Sequence, residues 1–246
     1  MTSVTGVVQR LLARANLELR RPQEAPFGVR WSVDIAHYLQ GRALGVAFDV
    51  GAHRGETTLS LLEAFPDTQI HSFEPMPESF AALQQATAST TARVVNAAMS
   101  DRPGVLELAR GEASYQSGVN ATGERIEVPS LTVDEYADAQ GIERLGLLKI
   151  DTEGHEEAVL HGARGRLEAG AIEFVVCECE FASRPDEPHA DFAALQALLE
   201  PLSYRVVSFY TGGVDNLGWV WGDVLYKLTA GPRDRASIHL SPQVRR

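Results

Sequence analysis

Short apolar runs and helical spacings alternate through the middle of the chain. The runs VAFDV (46–50), QIHSF (69–73), RVVNA (93–97), GLLKI (146–150) and IEFVVCEC (172–179) have the length and composition of buried strands. Stretches at 55–64, 77–88, 132–140 and 154–168 carry apolar residues at helical intervals. Strands separated by helices predict βαβ units, hence a parallel sheet with helices on both faces. Right-handed crossovers leave few topologies for such a chain.

Two regions break this rhythm. Residues 104–130 (GVLELARGEASYQSGVNATGERIEVPS) alternate apolar and polar positions at both ends around a Gly- and Ser-rich centre, which predicts a β-hairpin insertion. Residues 190–228 read as a helix (ADFAALQALLEPL), a strand (YRVVSFY), a glycine-rich bend (TGGVDNLG) and a last strand (WVWGDVLYKL), a hairpin that adds an antiparallel edge. Val4, Val7, Val8, Leu11 and Leu12 recur at helical spacing near the N-terminus and predict an amphipathic helix packed on the domain. The polar stretch beyond Thr229 has no pattern and reads as a tail. The expected organisation is a helical extension at 1–42, one domain at 43–229 and a loose tail at 230–246.

Composition narrows the function classes. The 246 residues are 44% hydrophobic and 22% charged, enough for one large domain with a real core. A formal net charge of −11 and a sequence pI of about 5.1 do not suit a general nucleic-acid binder. Cys177 and Cys179, the only cysteines, lie two apart in one apolar run, which is poor disulfide geometry. Reduced thiols and a cytoplasmic location follow as expectations. No run reaches the length of a membrane span.

The chemistry-bearing residues cluster at the ends of the predicted strands, where open α/β sheets bind ligands. The first strand runs into D-x-G-x-x-x-G, with Asp49, Gly51, His53 and Gly55. It is neither the dinucleotide fingerprint nor a phosphate loop, and Asp49 would repel a pyrophosphate. A ligand with a positive charge suits it better; a purely structural turn is the alternative. Glu74, followed by Pro75, ends the second strand one strand–helix–strand step later and could accept both hydroxyls of a ribose. In NAAMSDRPG (96–104), small residues such as Ala98 leave room for a flat ring, and Ser100 or Asp101 could bond its edge. In LLKIDTEGHEEAVLHGA (147–163), Asp151 ends a strand and His155 begins a helix, while Glu156 or Glu157 serves only as a cap. Glu178 and Glu180 share one face of the fifth strand. Asp151 with Glu180, or with Glu178, could hold a divalent cation such as Mg2+ or share general-base work. An ion pair of these acids with Lys149 or Arg184 is the structural alternative.

Taken in order, FDVGAHRG, FEP, NAAMSD, LLKIDTEGHEEAVLHGA and ECEF resemble the FkbM family of S-adenosylmethionine-dependent methyltransferases over residues 45–181. The resemblance implies a class I methyltransferase (Rossmann-like) sheet of seven strands, mostly parallel, with the last antiparallel. It implies S-adenosylmethionine at the glycine bend with Glu74 on the ribose, and O-methylation of a hydroxylated small molecule such as a sugar, glycoside or polyketide. Where family members often carry Asn in the bend this chain has His53, which suits a loop-shaping or water-holding role. Asp151 is then central to the reaction, with His155 or a metal activating the acceptor. The insertion at 112–123 and the aromatic residues Tyr210, Trp219 and Trp221 are expected to frame that acceptor, and a homo-oligomer is compatible with the chain. A nicotinamide-dependent oxidoreductase on the same sheet and a noncatalytic binding member are the competing readings.

Overall fold

A computed structural model describes residues 25–110, 123–181, 190–216 and 218–229. The expected N-terminal amphipathic segment, the insertion's polar centre, Arg184, the side chain of Trp219 and the tail lie outside the described residues.

Among the described residues, the central sheet has seven strands in the order β3-β2-β1-β7-β8-β10-β9. Its parallel core consists of β1 (Val46–Val50), β2 (Gln69–Phe73), β3 (Arg93–Val95), β7 (Leu145–Ile150) and β8 (Ile172–Glu180). All but β3 are largely buried because helices cover both faces, as sheet and helix patterns together required. On one face Phe48, Val50, Leu148, Ile150 and Val175 pack beneath α4 (Val133–Ala139), α5 (Glu156–Gly162), α6 (Arg164–Glu168) and α7 (Phe192–Leu199). On the other, Ala47, Ile70, Leu147 and Val176 pack against Ile35 and Leu39 of α1 (Trp31–Leu39) and Leu61 of α2 (Glu56–Ala64). The remaining helix, α3 (Pro77–Thr87), carries proline at its first position, where the missing N–H costs nothing.

The last strand in the chain, β10 (Gly218–Leu228), runs antiparallel as the resemblance implied. It does not sit at the edge, however. It inserts between β8 and β9 (Tyr204–Asp215), so the outermost strand runs in the direction of the parallel set. A hairpin can do this because β10 pairs with β9 on one side while its other side completes the ladder of β8. Both cysteines of β8 are unbridged and buried.

The insertion builds a second small sheet. β5 (Gly104–Ala109) and β6 (Arg125–Leu131) form the expected antiparallel pair, and β4 (Ala98–Met99) joins β6 in parallel. The third run, expected to reach Ala97, leaves the main sheet after Val95, and Ala98 and Met99 just beyond it serve this sheet instead. The helix expected at 154–168 divides, into α5 and α6, at Ala163. Among the described residues, no helix is long and apolar enough to cross a membrane.

Gly51 is where the parallel strands close up. Its φ is +79°, and a Cβ there would sit 1.7 Å from the carbonyl oxygen of Asp151. The glycine is thus required by the neighbouring strand end, whose own N–H donates to Val50 O at 3.0 Å. Gly51→Ala is expected to lose about 4 kcal/mol or more of stability, because both the torsion and a rigid backbone contact are violated. Urea unfolding would measure it; a loss within 1 kcal/mol would contradict the packing described.

Candidate functional site

The carboxyl ends of β1, β2 and β7 open into one cleft, and the small sheet forms its opposite wall. Val50, Gly51, His53, Glu74, Asp151 and Thr152 line the main-sheet side. Met76, Ala98, Met99, Leu106 and Leu108 line an apolar side, the two leucines coming from β5. Phe73 lies at the base of the cleft, edge-on to Phe48 at 5.2 Å and to Tyr136 at 4.8 Å between ring centroids. These aromatic contacts stiffen the floor.

Asp49 lies beneath this cleft and is fully buried. Its Oδ2 accepts from Thr58 Oγ at 2.7 Å, and Lys149 Nζ stands 3.6 Å from Oδ1. Asp49 and Lys149 are register partners on adjacent strands, so their side chains share one face. The same ammonium donates to Asp151 Oδ2 at 3.0 Å. Burial pushes the Asp49 carboxyl pKa up, and the Lys149 charge works against that rise. Burial alone would depress Lys149, but Asp151, Asp49 and Asp223 more than reverse this and hold it above the usual lysine range. Asp49 does not line the cleft; it pairs with the lysine that holds Asp151 at the cleft.

Glu74 is buried yet lines the cleft. Its Oε2 accepts the His53 N–H and its Oε1 the Met76 N–H, both at 2.8 Å. Burial raises its pKa to about 7, against the pull of those two donors. His53 takes up positive φ (+47°) to present that N–H, so its role in the bend is carried by the backbone. Pro75 lines the cleft beside Glu74, and Asn96 holds this corner by donating to the carbonyls of Glu74 and Pro75. Gly55 lies outside the cleft, at the N-terminus of α2, with φ +97° and Leu83 pressed against it.

At the other end, Asp151, Glu153 and Glu178 bring carboxylate oxygens within 4.8 Å of one another. Burial, then the charges of Asp151 and Glu153, push Glu178 far above the carboxylate range. Glu178 hydrogen-bonds to Asp151, whose Oδ2 in turn accepts from Lys149 Nζ. Glu180 is buried at the end of β8 and is not a member of this trio. His155 lines the cleft, and its Nε2 is 2.9 Å from Ser100 Oγ. Burial lowers its pKa, opposed by Glu156 and Asp101. Ser100 is buried and Asp101 is half exposed; neither lines the cleft, whereas Ala98 does.

Glu156 is a cap, as read from the sequence, but a buried one. It accepts from Thr152 N, Thr152 Oγ and Gly154 N, and so fixes the loop between Asp151 and His155. Tyr210 does not frame an acceptor: it is buried on the α1 face and its O–H donates to Asp34 at 2.6 Å. Trp221 lies over its own hairpin, where Gly212 and Gly213 leave the room its indole needs. Sequence reading left Lys149 as a mere ion-pair partner for the fifth-strand acids. A lysine inside an apolar run, two residues from Asp151 and opposite Asp49, was the available signal.

Comparison with known proteins gives this geometry a context. Residues 49–206 match the methyltransferase FkbM domain family. The chain is similar to the 31-O-demethyl-FK506 methyltransferase FkbM of Streptomyces tacrolimicus, with 31% identity over 163 positions covering 52% of this chain and 63% of that protein. It therefore spans less than two thirds of that relative's length. Among solved structures it resembles a SAM dependent methyltransferase from Aquifex aeolicus, at 12% identity and a TM-score of 0.44, covering 79% of this chain and 89% of the other. An S-adenosylmethionine-dependent methyltransferase from Clostridium acetobutylicum ATCC 824 matches at 9% identity and a TM-score of 0.46, covering 91% and 97%.

The buried lysine makes a prediction about stability. Lys149→Met strands Asp49 without a cation and is expected to cost about 3–5 kcal/mol near neutral pH. A carboxyl whose folded pKa is raised contributes stability at low pH that is lost as pH rises through that pKa. The variant's deficit should therefore shrink on acidification, as Asp49 takes up a proton. Urea unfolding at about pH 5 and pH 8 tests the sign; an equal deficit at both would refute the pairing.

Proposed function

The chain belongs to the FkbM methyltransferase family, and from that premise we propose that it transfers the methyl group of S-adenosylmethionine to a hydroxyl of a small molecule, such as a sugar, glycoside or polyketide. The observation that carries this reading is the division of one cleft into a Glu74 corner with an apolar wall and an Asp151–His155 end.

The residues present fit the donor. Glu74 spends one lone pair of each oxygen on the loop, and a carboxylate retains further acceptor sites for the two ribose hydroxyls. Met76, Ala98, Leu106 and Leu108 supply the apolar surface that a flat base requires. Asp151 and Glu153 line the same cleft and give it a negative potential suited to a sulfonium. When bound, the donor supplies an electrophilic methyl carbon that an oxygen can attack in line.

The protein's own work is to place the acceptor oxygen, exclude water and remove a proton. A hydroxyl is a weak nucleophile while protonated. His155 stands at the Asp151 end, and burial keeps its imidazole neutral and able to accept that proton. Asp151, oriented by Lys149, holds the acceptor beside it.

Calorimetry with S-adenosylmethionine tests the donor half. Ribose hydroxyls donate to the ionised Glu74, so affinity should fall as pH drops through about 7, by up to about tenfold per unit. Glu74→Gln should bind more weakly and flatten this profile. No binding by the folded protein, or a stronger thermal shift with nicotinamide cofactors, would refute the reading. For the acceptor half, hydroxylated small molecules are screened with labelled methyl donor. With any acceptor found, His155→Gln should lower kcat by about 10²–10⁴-fold while leaving donor affinity nearly unchanged; wild-type turnover would remove the base.

A further inference from the structure

We propose that Ser100 and Asp101 act through His155, holding its imidazole as the Nε2–H tautomer with Nδ1 left basic, instead of binding the methyl donor. The inference rests on the reading in which His155 is the base, and it assigns the two residues as positioning groups.

The hydrogen-bond arithmetic sets the direction. Ser100 Oγ lies 3.1 Å from Asp101 Oδ1 and 2.9 Å from His155 Nε2. A serine hydroxyl has one hydrogen and two lone pairs, while a carboxylate only accepts. The hydroxyl hydrogen therefore goes to Asp101, and a Ser100 lone pair receives the hydrogen on Nε2. In a neutral imidazole the other nitrogen is then the acceptor. Outer partners of this kind commonly fix the tautomer and orientation of a working histidine.

Placement agrees. His155 lines the cleft, whereas Ser100, 2% exposed, sits behind it and Asp101 lies toward solvent. A donor in the cleft would meet His155 before either of them. The backbone also removes slack between the partners. The N–H of Ser100 donates to Leu131 O at 2.8 Å. Gly162, on the helix that His155 begins, packs on Ser100 so closely that a Cβ would come within 2.0 Å of the serine carbonyl oxygen. Ser100 and His155 are thus carried by two elements in direct backbone contact.

The chemical balance is simple. The acceptor O–H bond breaks and its proton passes to Nδ1 as the oxygen bonds the methyl carbon. The C–S electron pair returns to sulfur, turning the sulfonium into a neutral thioether. His155 becomes an imidazolium whose charge faces Asp101 across Ser100 and Glu156 of its own helix, the two acids that act on it. Arg102 stands 4.0 Å from Asp101 and moderates its field.

The test reads the histidine directly. Long-range nitrogen–proton correlation spectra of the labelled full chain are recorded at about pH 7.5, where an unperturbed histidine is mostly neutral. The His155 signal is assigned by its loss in His155→Gln. Wild type should show Nε2–H, Ser100→Ala should show a mixture of tautomers, and Asp101→Asn should titrate at lower pH than wild type. Both variants should bind S-adenosylmethionine within about threefold of wild type, well under 1 kcal/mol. Asp101→Asn alters an exposed side chain, so it keeps the test open should Ser100→Ala fold poorly. An Nδ1–H wild type, a tautomer indifferent to Ser100→Ala, or a loss of donor affinity above about tenfold in Asp101→Asn would overturn the proposal. Wild type that fails to bind S-adenosylmethionine overturns it together with the donor reading; a wrong tautomer in a protein that binds the donor overturns only the assignment of Ser100 and Asp101.

Discussion

The structure turns on one ammonium group inside a parallel sheet. Lys149 is 4% exposed and stands between Asp49 and Asp151, with Asp223 adding to the same field. A lone charge in that position would be costly by many kcal/mol and would neutralise itself. Two carboxylates on one lysine make the arrangement tenable, and they also commit the three residues to fixed places. Buried pairs of this kind contribute little net stability beside an apolar replacement. What this one does is local: it holds Asp151 at the rim of a cleft among other acids, beside a Glu178 carboxyl that burial pushes far up in pKa.

The rest of the site is built by backbone. Gly51 lets the ends of β1 and β7 approach, and the N–H groups of His53 and Met76 point into the Glu74 carboxylate. Glu156 gathers the donors of the loop after β7 and so sets the path from Asp151 to His155. The small sheet closes the opposite wall with Leu106 and Leu108. Polar chemistry therefore comes from strand ends and apolar surface from the insertion, and the cleft is where they face each other.

Much of this was legible in the chain. The bounds of β1 and β2 were legible because each run is short, buried-strand-like and closed by a turn, with Asp49 and Glu74 at or beside its carboxyl end. The hairpin at 104–130 showed in its alternation, and a cap showed at Glu156 or Glu157 from their place in a first turn. The aromatic residues of the last hairpin misled. Tyr210 and Trp221 belong to the core under α1 and to the hairpin's own glycines, and composition cannot say which face of a strand meets a ligand. Ser100 and Asp101 looked like donor contacts because they follow a strand end. The chain in fact leaves the main sheet after Val95, and Ser100 is drawn behind the cleft while Asp101 lies toward solvent.

The sequence by itself determined the fold class, the alternation of strands and helices and the places where acids reach strand ends, because hydrophobic period and turn residues act locally; the seven-strand plan came from the family resemblance. The tertiary structure decided which acids are buried and paired, which residue is a scaffold and which meets the cleft. It also decided that β10 runs inside the sheet and that Glu178, not Glu180, joins Asp151. Those outcomes depend on distances between strands far apart in the chain, and desolvation and charge pairing act only once such groups are brought together.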